Sequence, residues 1–446
     1  MKKTQIPNAR EIALRILYEL EVKDAFANET IELFCKNYRL SNLDRRFVSE
    51  LVNGTTKMRK RLDYVLSFFL EKEIGDLTPW IRNILRLGVY QIDFMDRVPD
   101  SATVNEAVNL AKKFGHRGTV ALVNAVLRNY LRDKNRVRFP SWEENKVENI
   151  ALFYSFPIWM VESWLNMFGE EKTIKLCQAF NERPKLCCRM NSIKVDPPSL
   201  QEKFTISKIK FKSGKFLENF YYIESRMNLN RFMPLQEGLV YLQDESAGFP
   251  GILLDPQPGE IILDLCAAPG GKTTFIAELL KDRGKVMAVD KSWEKIKLLR
   301  ENCRRLEIDS VNCFCGDACY FQCRPVDRVL VDAPCSGLGV LGRNSDARWR
   351  KQKEDLLRLQ KLQLKMLSNA ANLVKKGGVL VYSTCTITRE ENECVIERFL
   401  EKRSDFKLVD ASNYVDSQVV DESGFVRTFP HIHKMDGSFA ARLESS

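Results

Sequence analysis

The sequence predicts an all-α domain over residues 1–140, a small α+β module over 141–235, and an α/β domain with a parallel, doubly wound sheet over 236–446. Three observations carry this reading. Apolar residues recur at helical spacing through the first 130 residues. Helical and strand-like patterns then mix. From about residue 245, short β-rich runs ending in turn residues alternate with helical stretches. At ~150 residues per domain, 446 residues suffice for two or three buried cores.

Ile12, Ile16, Leu17 and Leu20 share one helical face. Comparable stripes run through 45–70 (Phe47, Leu51, Leu62, Val65, Leu66, Phe69), 79–94 (Ile81, Ile84, Leu85, Val89) and 119–131 (Val120, Val123, Val126, Leu127). Thr78-Pro79 and Asp100-Ser101 supply helix starts, and the all-α domain ends near Pro140. A helical pattern from Ala151 to Phe180 leads into a strand-like run, Leu186 to Asn191; a Lys-rich alternating stretch and Tyr221-Tyr222-Ile223 follow. In the last domain the strands are Ile261–Leu265, Val286–Asp290, Val329–Asp332 and Val379–Tyr382, with helices over 272–281, 293–305 and 351–374.

Apolar residues make up 44% and charged residues 29%, which excludes a disordered chain. The net charge of +10 is unevenly placed: residues 1–140 hold 25 basic and 17 acidic side chains, and the remainder holds 44 and 42. A basic first third on a nearly neutral remainder hints at a polyanion partner. Apolar runs of about ten residues, broken by charges, fall short of the ~20 that cross a membrane. The start, Met1-Lys2-Lys3-Thr4, is positive, but a polar stretch through Arg10 and Glu11 stands where a signal peptide places its apolar region. Thirteen scattered cysteines then suggest reduced thiols in a cytoplasm rather than a disulfide framework.

The first α/β strand runs into Cys266-Ala267-Ala268-Pro269-Gly270-Gly271-Lys272-Thr273-Thr274 and a helix. Small residues let backbone approach a ligand there, and the helix N-terminus offers free N–H groups. A phosphate-binding P-loop ends as Gly271-Lys272-Thr273 does, but Cys266 stands where its first glycine belongs. A nucleoside ligand in a Rossmann-like crevice expects an acid about 20 residues later, at the end of the second strand. Asp290 closes that strand, and Asp317 sits where a third should end. No Gly-x-Gly-x-x-Gly appears, so the pattern suggests an adenosyl ligand such as S-adenosylmethionine rather than a dinucleotide.

Asp332-Ala333-Pro334-Cys335-Ser336-Gly337 ends the fourth strand and Ser383-Thr384-Cys385-Thr386 the fifth. If the two strands are neighbours, ~4.8 Å apart, both thiols reach one pocket beside the cofactor. Cytosine C5 is too weak a nucleophile to take a methyl group directly. A thiolate added to C6 makes C5 enamine-like, and a second group can assist loss of the C5 proton or release of the product. A carboxyl at Asp332 would contact cytosine N3. A lone cysteine is most often a small buried hydrophobe. Two at consecutive strand ends make that reading weak.

Here the chain resembles a family. Asp264 through Lys272, Asp332 through Gly337 and Tyr382 through Thr386 are similar to the motifs of RNA cytosine-5 methyltransferases of the bacterial Sun/Fmu (RsmB) type. Glu390-Glu391-Asn392-Glu393 and Asp436 through Leu443 resemble the same family. The resemblance implies an α/β Rossmann-like S-adenosylmethionine-dependent methyltransferase domain. It assigns cofactor binding to Cys266, Ala267, Ala268, Pro269, Gly270, Gly271, Lys272, Asp290, Asp317 and Asp332. It makes Cys385 the nucleophile and Cys335 the residue for product release, a choice the chemistry alone leaves open. Asn8-Ala9-Arg10, Leu85 through Tyr90, Val104 through Val108 and Phe114 through Leu131 resemble the NusB-type RNA-binding fold. That fusion implies methylation of an unpaired loop cytosine of 16S ribosomal RNA, position 967 in customary numbering, by a cytoplasmic, monomeric enzyme that needs no metal. Another rRNA or tRNA target, or a non-catalytic RNA-binding assembly factor, is the alternative. Leu338, Ser345 and Thr388-Arg389 depart from the family's usual residues and bear on target choice.

Other clusters read more simply. Cys313, Cys315, Cys319 and Cys323 lack the paired knuckles of common zinc sites. His431-x-His433 has no further ligands nearby and reads as a surface turn. Lys57 through Arg61 suits phosphate contact and a solvated helix face equally. The aromatics of 154–164 read as core.

Overall fold

The structure, a computed structural model, describes residues 7–225 and 229–446, so the positive start Met1–Thr4 lies outside the described residues. Two compact units form: residues through Glu182 together with Leu341–Arg350, and Arg183–Val340 together with Lys351–Ser446. Among the described residues, no helix is long and apolar enough to cross a membrane.

The first unit is helical. Its helices over Ala9–Val22, Asn42–Lys57, Pro79–Phe94 and Arg117–Arg132 turn Ile12, Ile16, Leu51, Ile84, Leu85, Val89, Val123 and Leu127 into one core. Helix starts follow capping chemistry: Asn8, Ser41 and Thr78 accept hydrogen bonds from Glu11, Asp44 and Ile81 N–H, and Pro79 needs no donor there. Asp100 begins its helix as expected, but in the first turn, at the positive dipole end, rather than as a cap. Gly88 permits a close helix approach, since a Cβ there would lie 2.8 Å from the Leu127 side chain. The predicted 151–180 helix is two helices, Lys146–Phe153 and Ile158–Asn181, the latter interrupted at Gly169 (φ +71°).

Leu341–Arg350 packs within this unit. Trp349 Nε1 donates to Thr56 O at 2.6 Å, and Ser345 Oγ to Asn53 Oδ1 at 2.7 Å. Arg348 is completely buried over Phe156 and donates to Ser155 O and Asn181 Oδ1. The basic run Lys57–Arg61 is half-buried rather than a fully solvated face: Arg59 lies over Trp349, Arg61 over Phe153, and Lys57 donates to Glu182 O. Burial lowers the Lys57 ammonium to about 8.

The second unit holds two sheets. The smaller has strands β1 (Leu186–Met190), β2 (Phe211–Ser213), β3 (Phe220–Ile223) and β4 (Val240–Leu242), in the order β2-β3-β1-β4, all antiparallel. The larger has β5 (Ile261–Leu265), β6 (Lys285–Asp290), β7 (Val311–Cys315), β8 (Val326–Asp332) and β9 (Val374–Thr384), followed by β10 (Phe406–Val409), β11 (Val426–Thr428) and β12 (Ser438–Ser445). Its order is β10-β12-β9-β8-β5-β6-β7, with β11 on β12. The five strands from β7 to β9 are parallel, as expected. The sheet as a whole is mixed, because β12 joins β9 antiparallel and carries β10 and β11. The chain passes outward from β5 through β6 and β7, then returns to β8 on the other side. That reversal opens a crevice at the carboxyl ends of β5 and β8, where ligands of such sheets bind.

Candidate active site

Every predicted site residue lies at the carboxyl ends of β5 to β9 or in the turns that follow. After β5 the chain turns at Cys266 (φ +66°) and at Gly270 (φ +107°), a left-handed conformation that favours glycine. The helix Gly271–Leu279 starts there without a side-chain cap, leaving its first N–H groups to a ligand. Asp290 organises this turn, accepting from Ala268 N at 3.2 Å and from Ser292 N at 2.9 Å. Asp317, just beyond β7, accepts from Cys319 N and from Lys291. Burial, with the Asp332 and Asp264 carboxylates nearby, pushes the Cys266 thiol up.

The two catalytic candidates meet. β8 pairs with β9 so that Asp332 faces Ser383, and beyond them Cys335 Sγ lies 3.2 Å from Cys385 Sγ. Beside the sulfurs, Lys272 Nζ donates to Asp332 Oδ2 at 2.7 Å and Ser383 Oγ to Oδ1 at 2.8 Å. The hydrogen bond from Cys335 lowers the Cys385 pKa, and the Lys272 ammonium adds to this against burial and the Asp332 charge. The same hydrogen bond, with burial, raises Cys335 well above an ordinary thiol. Of the pair, Cys385 is thus the more readily ionised and Cys335 the less.

The sequence comparisons fit this geometry. The family described as 16S rRNA methyltransferase RsmB/F matches residues 251–444, the NusB family residues 7–132, and the ferredoxin-like domain of RsmF/B-like methyltransferases residues 156–230. The chain is 36% identical to the probable ribosomal RNA small subunit methyltransferase B of Bacillus subtilis (strain 168), covering 99% of both proteins. It belongs to the RsmB/F family of 16S rRNA methyltransferases. The Synechocystis (strain PCC 6803) relative is 36% identical over 98% of this chain and its own full length. The crystal structure of PH0851 superposes over the full length of both chains with a TM-score of 0.80 at 27% identity.

Within this RsmB/F chain, the motif-based expectation of RNA methyltransferase and NusB-like parts agrees with the family matches. Two charged groups were given no role by the sequence reading. Glu391, completely buried, accepts from Ser336 N at 2.8 Å, Gln363 Nε2 at 3.0 Å, Thr388 Oγ1 at 3.0 Å and Ser336 Oγ. Arg189 of β1 donates to Glu278 (2.9 and 2.8 Å) and to Gly271 O (2.7 Å), bracing the glycine turn from the smaller sheet. A buried charge needs a partner. An arginine in the apolar run of β1 and a Glu in the buried face of the β5 helix carry that signal, although spacing does not pair them.

His431 is buried in the short helix Pro430–His433, not on a surface turn, and His433 Nδ1 accepts from Phe429 N. Trp164 packs with Phe156 and Phe180 in the core. Among the described residues, no three His, Cys, Asp or Glu gather as a metal site.

Proposed function

We propose that this RsmB/F protein methylates C5 of an unpaired cytosine of 16S rRNA, with position 967 as the expected target, through a covalent bond between Cys385 and C6. The observation that carries the reading is the pair of sulfurs 3.2 Å apart at adjacent strand ends, beside the Lys272–Asp332 ion pair. S-adenosylmethionine, when bound, supplies an electrophilic methyl group. The uncapped helix start and the left-handed turn fit its amino-acid end, and the carboxylates of Asp290 and Asp317 fit its ribose hydroxyls. The resemblance assigns the same turn and acids to it.

The chain's own residues perform the rest. The Cys385 thiolate attacks C6 from outside the ring plane, so the base must be flipped or unpaired. As electron density builds on N3, the Asp332 carboxyl donates a proton or hydrogen bond to it and stabilises the addition, with the Lys272 ammonium alongside. Once C5 carries its methyl group, Cys335 gives up its own proton to solvent and, as a thiolate, takes the C5 proton. The electron pair of that C–H bond restores the ring double bond, and the C6–S bond breaks to free Cys385.

The test incubates S-adenosylmethionine and 16S rRNA with wild type, Cys385→Ala and Cys335→Ala. We expect 5-methylcytosine from wild type, none from Cys385→Ala, and a trapped protein–RNA adduct from Cys335→Ala. Full activity of Cys385→Ala overturns the nucleophile.

A further inference from the structure

Four donors converge on the Glu391 carboxylate from two different loops and a helix. Ser336, the neighbour of Cys335, gives both its N–H and its hydroxyl. Thr388 gives its hydroxyl from the loop after Cys385, and Gln363 reaches in from the helix Lys353–Ala371 while also donating to Pro334 O at 3.0 Å. Ser336 Oγ lies 2.8 Å from Thr386 Oγ1, closing a direct link between the residues that follow each cysteine. Tyr382 OH donates to Glu391 O at 2.7 Å, and Asn392 holds Thr384 Oγ1 (2.6 Å) and Thr386 O (3.1 Å). Glu391 and the three residues whose side chains bond to its carboxylate, Ser336, Gln363 and Thr388, are buried.

We propose that Glu391 is a positioning residue for product release: its carboxylate fastens the Cys335 loop to the Cys385 loop, and the approach of the two sulfurs depends on it. The inference rests on the two-cysteine reading above. Both loops are short and follow strand ends, beyond which one backbone hydrogen bond, from Gly339 N–H to Cys385 O, joins them. The carboxylate adds to that constraint by accepting from both sides at once. Its charge also lies near the sulfurs and disfavours a thiolate at Cys335, which suits a thiol that acts only after Cys385 has bonded to the base.

The atoms define the substitutions. Oε1 accepts from two N–H donors that cannot reverse, whereas Oε2 accepts from two hydroxyls that can turn and accept instead. Glu391→Gln therefore keeps all four links, with its carbonyl on the N–H side and its amide facing the hydroxyls. Glu391→Ala loses them all.

Both variants, with wild type and Cys335→Ala, are assayed for S-adenosylmethionine binding, for adduct formation on 16S rRNA, and for the rate at which the adduct clears. We expect Glu391→Ala to bind cofactor as wild type does and to form the adduct. Clearance should slow on the order of 10²-fold, as misplacing a catalytic group does. Glu391→Gln should restore most of that rate. If Glu391→Ala does not fold, Ser336→Ala, which cuts only the hydroxyl link, carries the same expectation in milder form. Clearance at the wild-type rate in the truncated variant, equal trapping in Glu391→Gln, or joint loss of cofactor binding and adduct formation overturns the positioning role. Absence of an adduct in Cys335→Ala sinks the underlying reading and this role with it. An adduct there, with normal clearance in the Glu391 variants, removes the positioning role alone.

Discussion

Asp332 and Ser383 face one another across β8 and β9, joined by a 2.8 Å hydrogen bond from the serine hydroxyl to the carboxylate. This register pair sets the active site: Cys335 follows three residues beyond Asp332, Cys385 two beyond Ser383, and the remaining Asp332 oxygen holds Lys272.

After the Cys335 hydrogen bond, Lys272 contributes to the acid limb expected of the pH–rate profile. The Cys335 hydrogen bond lowers Cys385, and the Lys272 ammonium adds to that, so the methylation rate rises with pH through a value below that of a free thiol. Lys272→Met removes one cation and leaves the Asp332 charge facing the thiol. The limb should move to higher pH, and the plateau should fall on the order of 10²-fold as transition-state charge loses its partner. Single-turnover rates across pH measure both. An unmoved acid limb would separate Lys272 from thiolate formation.

Gly339 presents a steric test. Its N–H donates to Cys385 O at 3.0 Å, and its carbonyl accepts from Gly437 N at 2.9 Å. A Cβ on Gly339 would lie 2.0 Å from Gly437 O and 2.8 Å from Cys385 O, both backbone atoms that cannot swing away. Gly339→Ala should displace the Cys385 backbone and cost about 10²-fold in turnover, with cofactor affinity preserved because the glycine turn after β5 is untouched. Steady-state turnover and calorimetric binding of S-adenosylmethionine decide it.

The strand ends were legible because chemistry demands particular residue types there. A turn that cradles a ligand needs glycine, and two thiols on neighbouring strands need their own punctuated motifs. The parallel strands were legible through alternation with helices. The antiparallel additions β10 to β12 were not, since their partners are distant and short strands carry no helical crossover to announce them. Glu391 was hidden among three acids in four residues, and only the fold shows that it points inward. The Lys57–Arg61 run was ambiguous for the opposite reason. Its partners Trp349 and Phe153 lie far along the chain, and stacking on them is invisible to local charge patterning.

Arg189 and Glu278 form an ion pair whose side chains are 0% and 2% exposed. Arg189→Met strands the glutamate in the interior, which typically costs about 3–5 kcal/mol. It also removes the donor to Gly271 O, so S-adenosylmethionine binding should weaken. Adding Glu278→Leu removes the stranded charge. Denaturant titration should then show part of the stability restored, while cofactor affinity stays low. Recovery of both together would mean that the Gly271 contact does not shape the turn.

Asp264 makes stability itself depend on pH. Its side chain is completely buried at the end of β5, and burial raises its carboxyl to about 7 against the 2.6 Å hydrogen bond from Thr273. The other oxygen, Oδ1, has no hydrogen-bond partner. An aspartate that titrates near 3.9 when unfolded and higher when folded holds its extra proton in the native state between those values. Its contribution is fully present below about pH 4, declines as pH rises toward 7, and is lost above it. At 1.36 kcal/mol per unit the span is at most roughly 4 kcal/mol. Asp264→Asn keeps an acceptor for Thr273 and cannot ionise. Between about pH 5 and pH 8 the wild-type thermal midpoint should therefore fall more steeply than the variant's. Parallel curves for the two proteins would show that Asp264 stays in one protonation state throughout.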